Sequence, residues 1–327
     1  MQWSLDFPIS PLPSQITHQS KILSMGSCFA DVIGEKMKNA KFDTLVNPFG
    51  TIFHPQILAD LLDHAISKDK MDLDGILQRD GLFFHYGVHS DLKGKSKEDL
   101  AQQYSSKMTQ TKEYLEKGSH LILTFGTSWI YELPGYGRVA NCHKQAQKLF
   151  EKKLSSLEEM QNDLALVFEN ISGAFPQLNI ILTVSPVRHI KDGISENQLS
   201  KSLLRVLCGN LERQFDFVSY FPAYEIMMDE LRDYRFYKSD LIHPTEEAEN
   251  YIWEKWKKAI FDTETEKKAA EISKIQLELA HRPLNPESDS HRKFQQNLVA
   301  KLERLNEEFD FSKEIKALSK DLQSKPS

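Results

Sequence analysis

Short apolar runs that end at glycine or proline, each followed by apolar residues at helical spacing, recur along the chain and set its predicted architecture. Ile22 to Met25 runs into Gly26, Ser27 and Cys28, after which Phe29, Val32, Ile33 and Met37 mark a helix face. Thr44 to Val46 breaks at Asn47-Pro48 and Gly50, and Pro55 opens a helix carrying Ile57, Leu58, Leu61, Leu62 and Ile66. Leu121 to Phe125 ends at Gly126-Thr127-Ser128-Trp129, and a long helix is expected after it, with Leu154, Leu157, Leu164, Val167 and Phe168 among its apolar positions. Asn179 to Val187 is the most β-branched run and reads as a central strand buried on both faces. A helix over 195–214 and a short strand at 217–221 follow. This alternation predicts an α/β fold, a parallel sheet with helices on both sides.

The pattern changes in three places. Pro8, Pro11 and Pro13 exclude a helix from residues 1–20, which read as an extended arm across the surface. Residues 68–118 are more polar, with a turn at Asp80-Gly81 and an amphipathic helix from Ser96 to Lys117, and are expected to be an insertion that walls a pocket. After a helix bearing Ala248, Tyr251, Ile252, Trp256 and Ile260, the composition becomes charge-rich. Residues 1–262 are therefore assigned to the core domain and 263–327 to a helical extension. Ile272, Ile275 and Leu279 belong to one helix of it, and Phe294, Leu298, Leu302, Leu305 and Phe309 to another. Such an appendage could fold back on the core or support a homo-oligomer.

Composition narrows the function class. Acidic residues number 47 against 41 basic, a net charge of −6, so the chain lacks the positive excess of a dedicated nucleic-acid binder. No run of 18 apolar residues and no signal-peptide pattern at residues 1–8 is present, which predicts a protein that is not membrane-embedded and stays in the cytoplasm. Cys28, Cys142 and Cys208 show no paired spacing, so neither a disulfide framework nor a metal site is expected. No cofactor is implied.

The candidate chemistry lies at strand ends. Ser27 and Cys28 are adjacent potential nucleophiles at the turn before a helix, where backbone N–H groups can face an oxyanion. Asp240-x-x-His243 can supply a base and the carboxylate that orients it. Asn47 to Gly50, Gly126 to Trp129 and Ser185-Pro186 would converge on the same crevice at the carboxyl ends of the strands. Cys142 reads as a pocket wall and Cys208 as packing, while His85, His89, His143 and His189 divide between surface and pocket.

Several of these stretches together resemble one family. Ser24-Met-Gly-Ser-Cys-Phe-Ala30, Asn47-Pro-Phe-Gly50, Asn141-Cys-His143, Ser185-Pro-Val-Arg-His189 and Asp233 to Tyr237, up to His243-Pro244, are similar to the GSCFA family over roughly residues 1–260. That resemblance implies the three-layer α/β/α, flavodoxin-like fold of SGNH (GDSL-like) hydrolases, whose members are esterases, thioesterases and acyl-transferring enzymes acting on small-molecule, carbohydrate or lipid esters. It places Cys28 at the nucleophile position, with Ser27 as the alternative, and His243 and Asp240 as base and orienting acid. Gly50 resembles the glycine whose N–H binds the oxyanion. Ser128 stands where an asparagine would be, with Asn47, Asn141 and His143 nearby in the same motifs. A thiol nucleophile makes acyl transfer as plausible as hydrolysis, since its intermediate is a thioester. The competing expectation is a catalytically degenerate domain that holds a carbohydrate or lipid.

Overall fold

The computed structural model describes residues 7–67 and 70–324. Five parallel strands form the central sheet: β1 (Lys21–Gly26), β2 (Asp43–Val46), β5 (His120–Phe125), β9 (Asn179–Val184) and β10 (Val218–Phe221). They stand in the order β10-β9-β5-β1-β2. Counting only these strands, the order is the 2-1-3-4-5 of flavodoxin-like sheets, whose topological switch point lies between β1 and β5.

Alternation along the strands decides which layer each residue meets. Leu23, Met25, Leu121, Leu123, Ile180 and Leu182 face a layer made by α2 (Pro55–Ser67), α3 (Lys97–Lys117), α4 (Leu157–Ala174) and α5 (Ile194–Gln214). Ile22, Ile122, Ile181 and Phe221 face α1 (Cys28–Asn39) and α7 (Glu246–Ile260) instead. Between β10 and α7 the chain makes a short helical turn, α6 (Ala223–Glu225), that continues as a π-type turn to Glu230. The three-layer architecture and the helical extension are thus as the hydrophobic pattern predicts.

Two smaller sheets depart from that pattern. The hairpin of β3 (Ile76–Arg79) and β4 (Leu82–His85) turns at Asp80 and Gly81, both with positive φ. The helix α3 after it buries Leu100, Tyr104, Met108 and Leu115 against the core. It is a layer helix, so the excursion expected over 68–118 is confined to the hairpin and its flanks. Inserted between β5 and α4 is an antiparallel sheet of β7 (Gly137–Val139), β6 (Trp129–Leu133) and β8 (Glu151–Leu154), in that order. Leu154 therefore lies in a strand, and the expected long helix begins at Leu157 behind an N-cap and capping box made by Ser156 and Glu159. Arg138 fastens the inserted sheet to the helical layer through Asp60 (2.7 Å) and Asp163.

The N-terminal arm lies along the end of α7, where Leu12 and Ile16 donate backbone hydrogen bonds to Ala259 and Ile260. The extension comprises α8 (Thr263–Ala280), α9 (Asp289–Leu305) and α10 (Ser312–Ser324), the last not foreseen. It has its own cluster of Ile272, Ile275, Leu298, Leu302, Phe309 and Phe311. Phe309 lies beyond α9 rather than on it, and packs on His18, whose other side stacks on Phe42 at 4.3 Å. Lys41 bonds Glu314 at 2.7 Å. The extension folds back on the core.

Buried imidazoles give the fold an acid limit. Burial holds His54 at about 3, and His120 and His143 at about 4. These values lie below that of an unfolded histidine, so the unfolded chain binds more protons under pH 6.5, and stability falls as pH drops from there toward 3 to 4. Denaturant titrations should show a decline of a few kcal/mol between about pH 6.5 and 4, and His54→Gln should lessen it. A flat profile over that range would contradict the burial of these rings.

Candidate functional site

The switch point of the sheet opens into a cleft of about 720 Å³, lined among others by Cys28, Thr51, Phe53, Thr127, Asn141, His189 and His243. Its position follows from the topology, because parallel strands end there together. One wall is the inserted sheet, which contributes Trp129, Ile130, Tyr131, Val139 and Lys152. Of residues 68–118, His89 lines the cleft.

Gly26 makes the sharp exit from β1. Its φ is 146°, and a Cβ there would lie 2.2 Å from the Thr124 carbonyl oxygen of the neighbouring strand, so no other residue fits. Ser27 then caps α1. It is fully buried, its Oγ accepts the Phe29 N–H at 3.3 Å, and its own N–H bonds Thr124. Cys28, the first residue of α1, is only partly buried and reaches the cleft. The structure thus separates the two candidate nucleophiles: the serine is sealed into the cap and the thiol faces the cavity. Burial is the main influence raising the thiol pKa, followed by the nearby Asp31 carboxylate; Lys201 and the N–H groups of Cys28 and Phe29 act the other way. The resting thiol is therefore protonated near neutral pH.

Asp240 and His243 lie on the loop between α6 and α7. Asp240 Oδ2 accepts from His243 Nδ1 at 2.8 Å, and Oδ1 takes the N–H groups of Ile242 (2.9 Å) and His243 (3.0 Å). The His243 backbone N–H, then its ring and the Ile242 N–H, hold the carboxyl at about 2. An ionised carboxylate at Nδ1 fixes the proton there, which leaves Nε2 as the basic nitrogen. Leu241, at φ 58°, gives the loop its tight turn, and the chain is pinned where Tyr237 bridges Pro244.

Other expected oxyanion residues are placed differently. The Gly50 N–H donates to the Asn47 carbonyl at 2.8 Å, so it is not directed at the cleft. Ser128 is buried beneath it; its hydroxyl donates to the Ser200 carbonyl at 2.9 Å and its N–H to Ser200 Oγ at 2.7 Å. Asn47 braces the nucleophile turn, accepting the Gly26 N–H at 2.8 Å and donating to Asp31 at 2.7 Å. His143 is buried between Ser90 and the His85 carbonyl, outside the cleft. Asn141 does line it, and its Oδ1 is taken by the His143 N–H at 2.7 Å, which leaves the amide nitrogen as the donor on offer.

Two groups had no assigned role in the sequence. Lys201, on α5, has no exposed surface; its Nζ donates to the carbonyls of Gly126 and Ser185, each at 2.7 Å, where β5 and β9 end. Desolvation lowers it to about 7, with Cys28 opposing that shift. His189 lines the cleft with a buried Nε2 that has no hydrogen-bond partner. Burial first, then the positive charge of Lys201, holds it at about 3, so it is a neutral ring. Asn197, Ser200 and Lys201 form one face of α5, where Asn197 takes the His189 N–H at 2.8 Å. That polar face, continued by Leu204, Cys208 and Leu211, was the signal available in the sequence.

Among the described residues no group of three or more His, Cys, Asp or Glu side chains is arranged to hold a metal ion, and no helix is long and apolar enough to cross a membrane. The family model of the GSCFA family matches residues 21–256, and that of the GSCFA domain protein C-terminal domain matches residues 272–324. No curated protein matches the sequence.

Proposed function

The chain belongs to the GSCFA family, and from that premise and the cleft we propose that it is an acyl-ester or thioester hydrolase or acyltransferase working through an acyl-thioester on Cys28. One observation carries this reading: Cys28 and an Asp240-oriented His243 line the same cleft, while Ser27 is closed off. The resemblance to SGNH hydrolases supports it. His243 Nε2 takes the thiol proton as sulfur bonds to the acyl carbon. The leaving oxygen or sulfur departs with that proton, and water or an acceptor, deprotonated by the same nitrogen, then attacks the thioester, breaking the acyl C–S bond as the Cys28 sulfur takes the proton back. Negative charge on the acyl oxygen would be met by the Cys28 N–H at the start of α1, with Asn141 Nδ2 the side-chain donor.

Intact-protein and peptide mass spectrometry with an electrophilic acyl probe tests it. Labelling is expected on Cys28, to persist in Ser27→Ala, and to slow about a hundredfold or more in His243→Ala. Ser27→Ala should lower stability by about 1 kcal/mol through the lost cap. Labelling that is indifferent to His243 would rule out the base. A second reading, a binding domain without turnover, draws on the engaged Gly50 N–H and Ser128 hydroxyl, two of the donor positions that the resemblance implies. It predicts probe labelling without release of product from any ester.

A further inference from the structure

The cleft has a charge pattern that the acyl chemistry does not use. In a chain with more acidic than basic residues, its lining holds Lys144, Lys152, Arg188 and Lys191 against a single carboxylate, Asp192. Asp192 is already paired with Lys152. Lys144, Arg188 and Lys191 have no ion-pair partner among the described residues. They come from two separate segments, the loop after β7 and the loop after β9, so no single local sequence accounts for their shared place on the cleft. Arg188 is held with its guanidinium 4.1 Å from the Tyr237 ring centre, a stacking that orients the fork without neutralising it. The lining also holds apolar side chains, the buried Ile52, Ile57, Ile130 and Val139 and the half-buried Phe53.

We propose that the substrate of this cleft is an acyl compound whose non-acyl portion carries a phosphate, the acyl group lying against these apolar side chains and the phosphate against Lys144, Arg188 and Lys191. Three unneutralised cations suit a dianion better than a single carboxylate, and an arginine fork matches phosphate geometry. The proposal names the substrate class for the acyl-transfer site and so rests on that reading. Its binding test does not depend on turnover.

Calorimetric titration of the full chain carrying Cys28→Ala, with octyl phosphate below its micelle concentration, is the experiment. Octyl phosphate is expected to bind roughly tenfold or more tighter than octyl glucoside and than octanoate, and to weaken as salt rises. In Lys144→Ala/Lys191→Ala that preference should disappear while octyl glucoside still binds. Equal binding of the three amphiphiles, or a phosphate preference that survives in the double variant, would overturn the proposal. Tight, charge-dependent binding of octyl phosphate by a protein that turns over no acyl ester would remove the enzyme reading and leave the anion site standing.

Discussion

Cys28→Ala is expected to lower kcat/KM for ester and thioester substrates by at least about a thousandfold, to the residual rate that cleft binding alone supplies. The residue sits at the start of α1 with partial exposure, and its side chain fills no core cavity, so the fold should lose only about 1 kcal/mol or less. Cys28→Ser is the more informative variant. A hydroxyl in the same place keeps the geometry and loses the thiol's nucleophilicity, so turnover should fall about a hundredfold or more and the acyl-enzyme become an ester that transfers less readily. Parallel assays on both variants, with thermal unfolding as the control, check this. Turnover of the alanine variant at the wild-type rate would remove the thiol from the mechanism.

Lys201→Met should change stability and pH dependence together. Methionine keeps the length of the side chain but leaves the Gly126 and Ser185 carbonyls without their donor, a loss of about 1 to 3 kcal/mol for each buried unsatisfied group. Against this stands the removed burden of a buried charge. The balance shifts with pH. Lys201 lies at about 7 in the fold and 10.5 when unfolded, so between those values the unfolded chain binds more protons and native stability rises with pH. The variant should therefore be most destabilised relative to wild type toward pH 9 and least so below pH 7. Stability differences that do not vary from pH 6.5 to 9 would contradict the burial of this ammonium.

The central sheet was legible because its strands are short, apolar and end in glycine or proline, and burial on both faces requires such runs. Gly26 and Asp240-x-x-His243 were legible for a related reason: a backbone that only glycine fits and an acid three residues before a histidine are local signals. The inserted sheet was not. Its strands carry Glu132, Arg138, Lys152 and Lys153 and owe their existence to packing of Tyr86, Val139 and Phe150 over the hairpin, which no local period reports. Leu154 fell at helical spacing with Leu157 and so joined the wrong element. Gly50 and Ser128 stood at the expected positions, but what decides their role is which partner takes each hydrogen bond, and Asn47 and Ser200 are long-range or backbone partners. Lys201 was hidden because a lysine on an amphipathic helix is ordinarily solvated, and only the fold shows two strand-end carbonyls waiting for it.

The loop that carries Asp240 and His243 has a consequence for how the protein is made. Cys28 lies near the beginning of the domain sequence and His243 near its end, and the loop is seated by the Tyr237 bridge to Pro244 and by the Arg188 N–H on Ile242. During vectorial synthesis the first strand and its cysteine emerge long before their base. Burial raises the thiol pKa only once the sheet has formed, so on the ribosome the cysteine is an ordinary exposed thiol, made well before His243. On the proposed mechanism turnover waits until the last segment of the domain closes over the sheet, so a truncated or stalled chain carries Cys28 without His243.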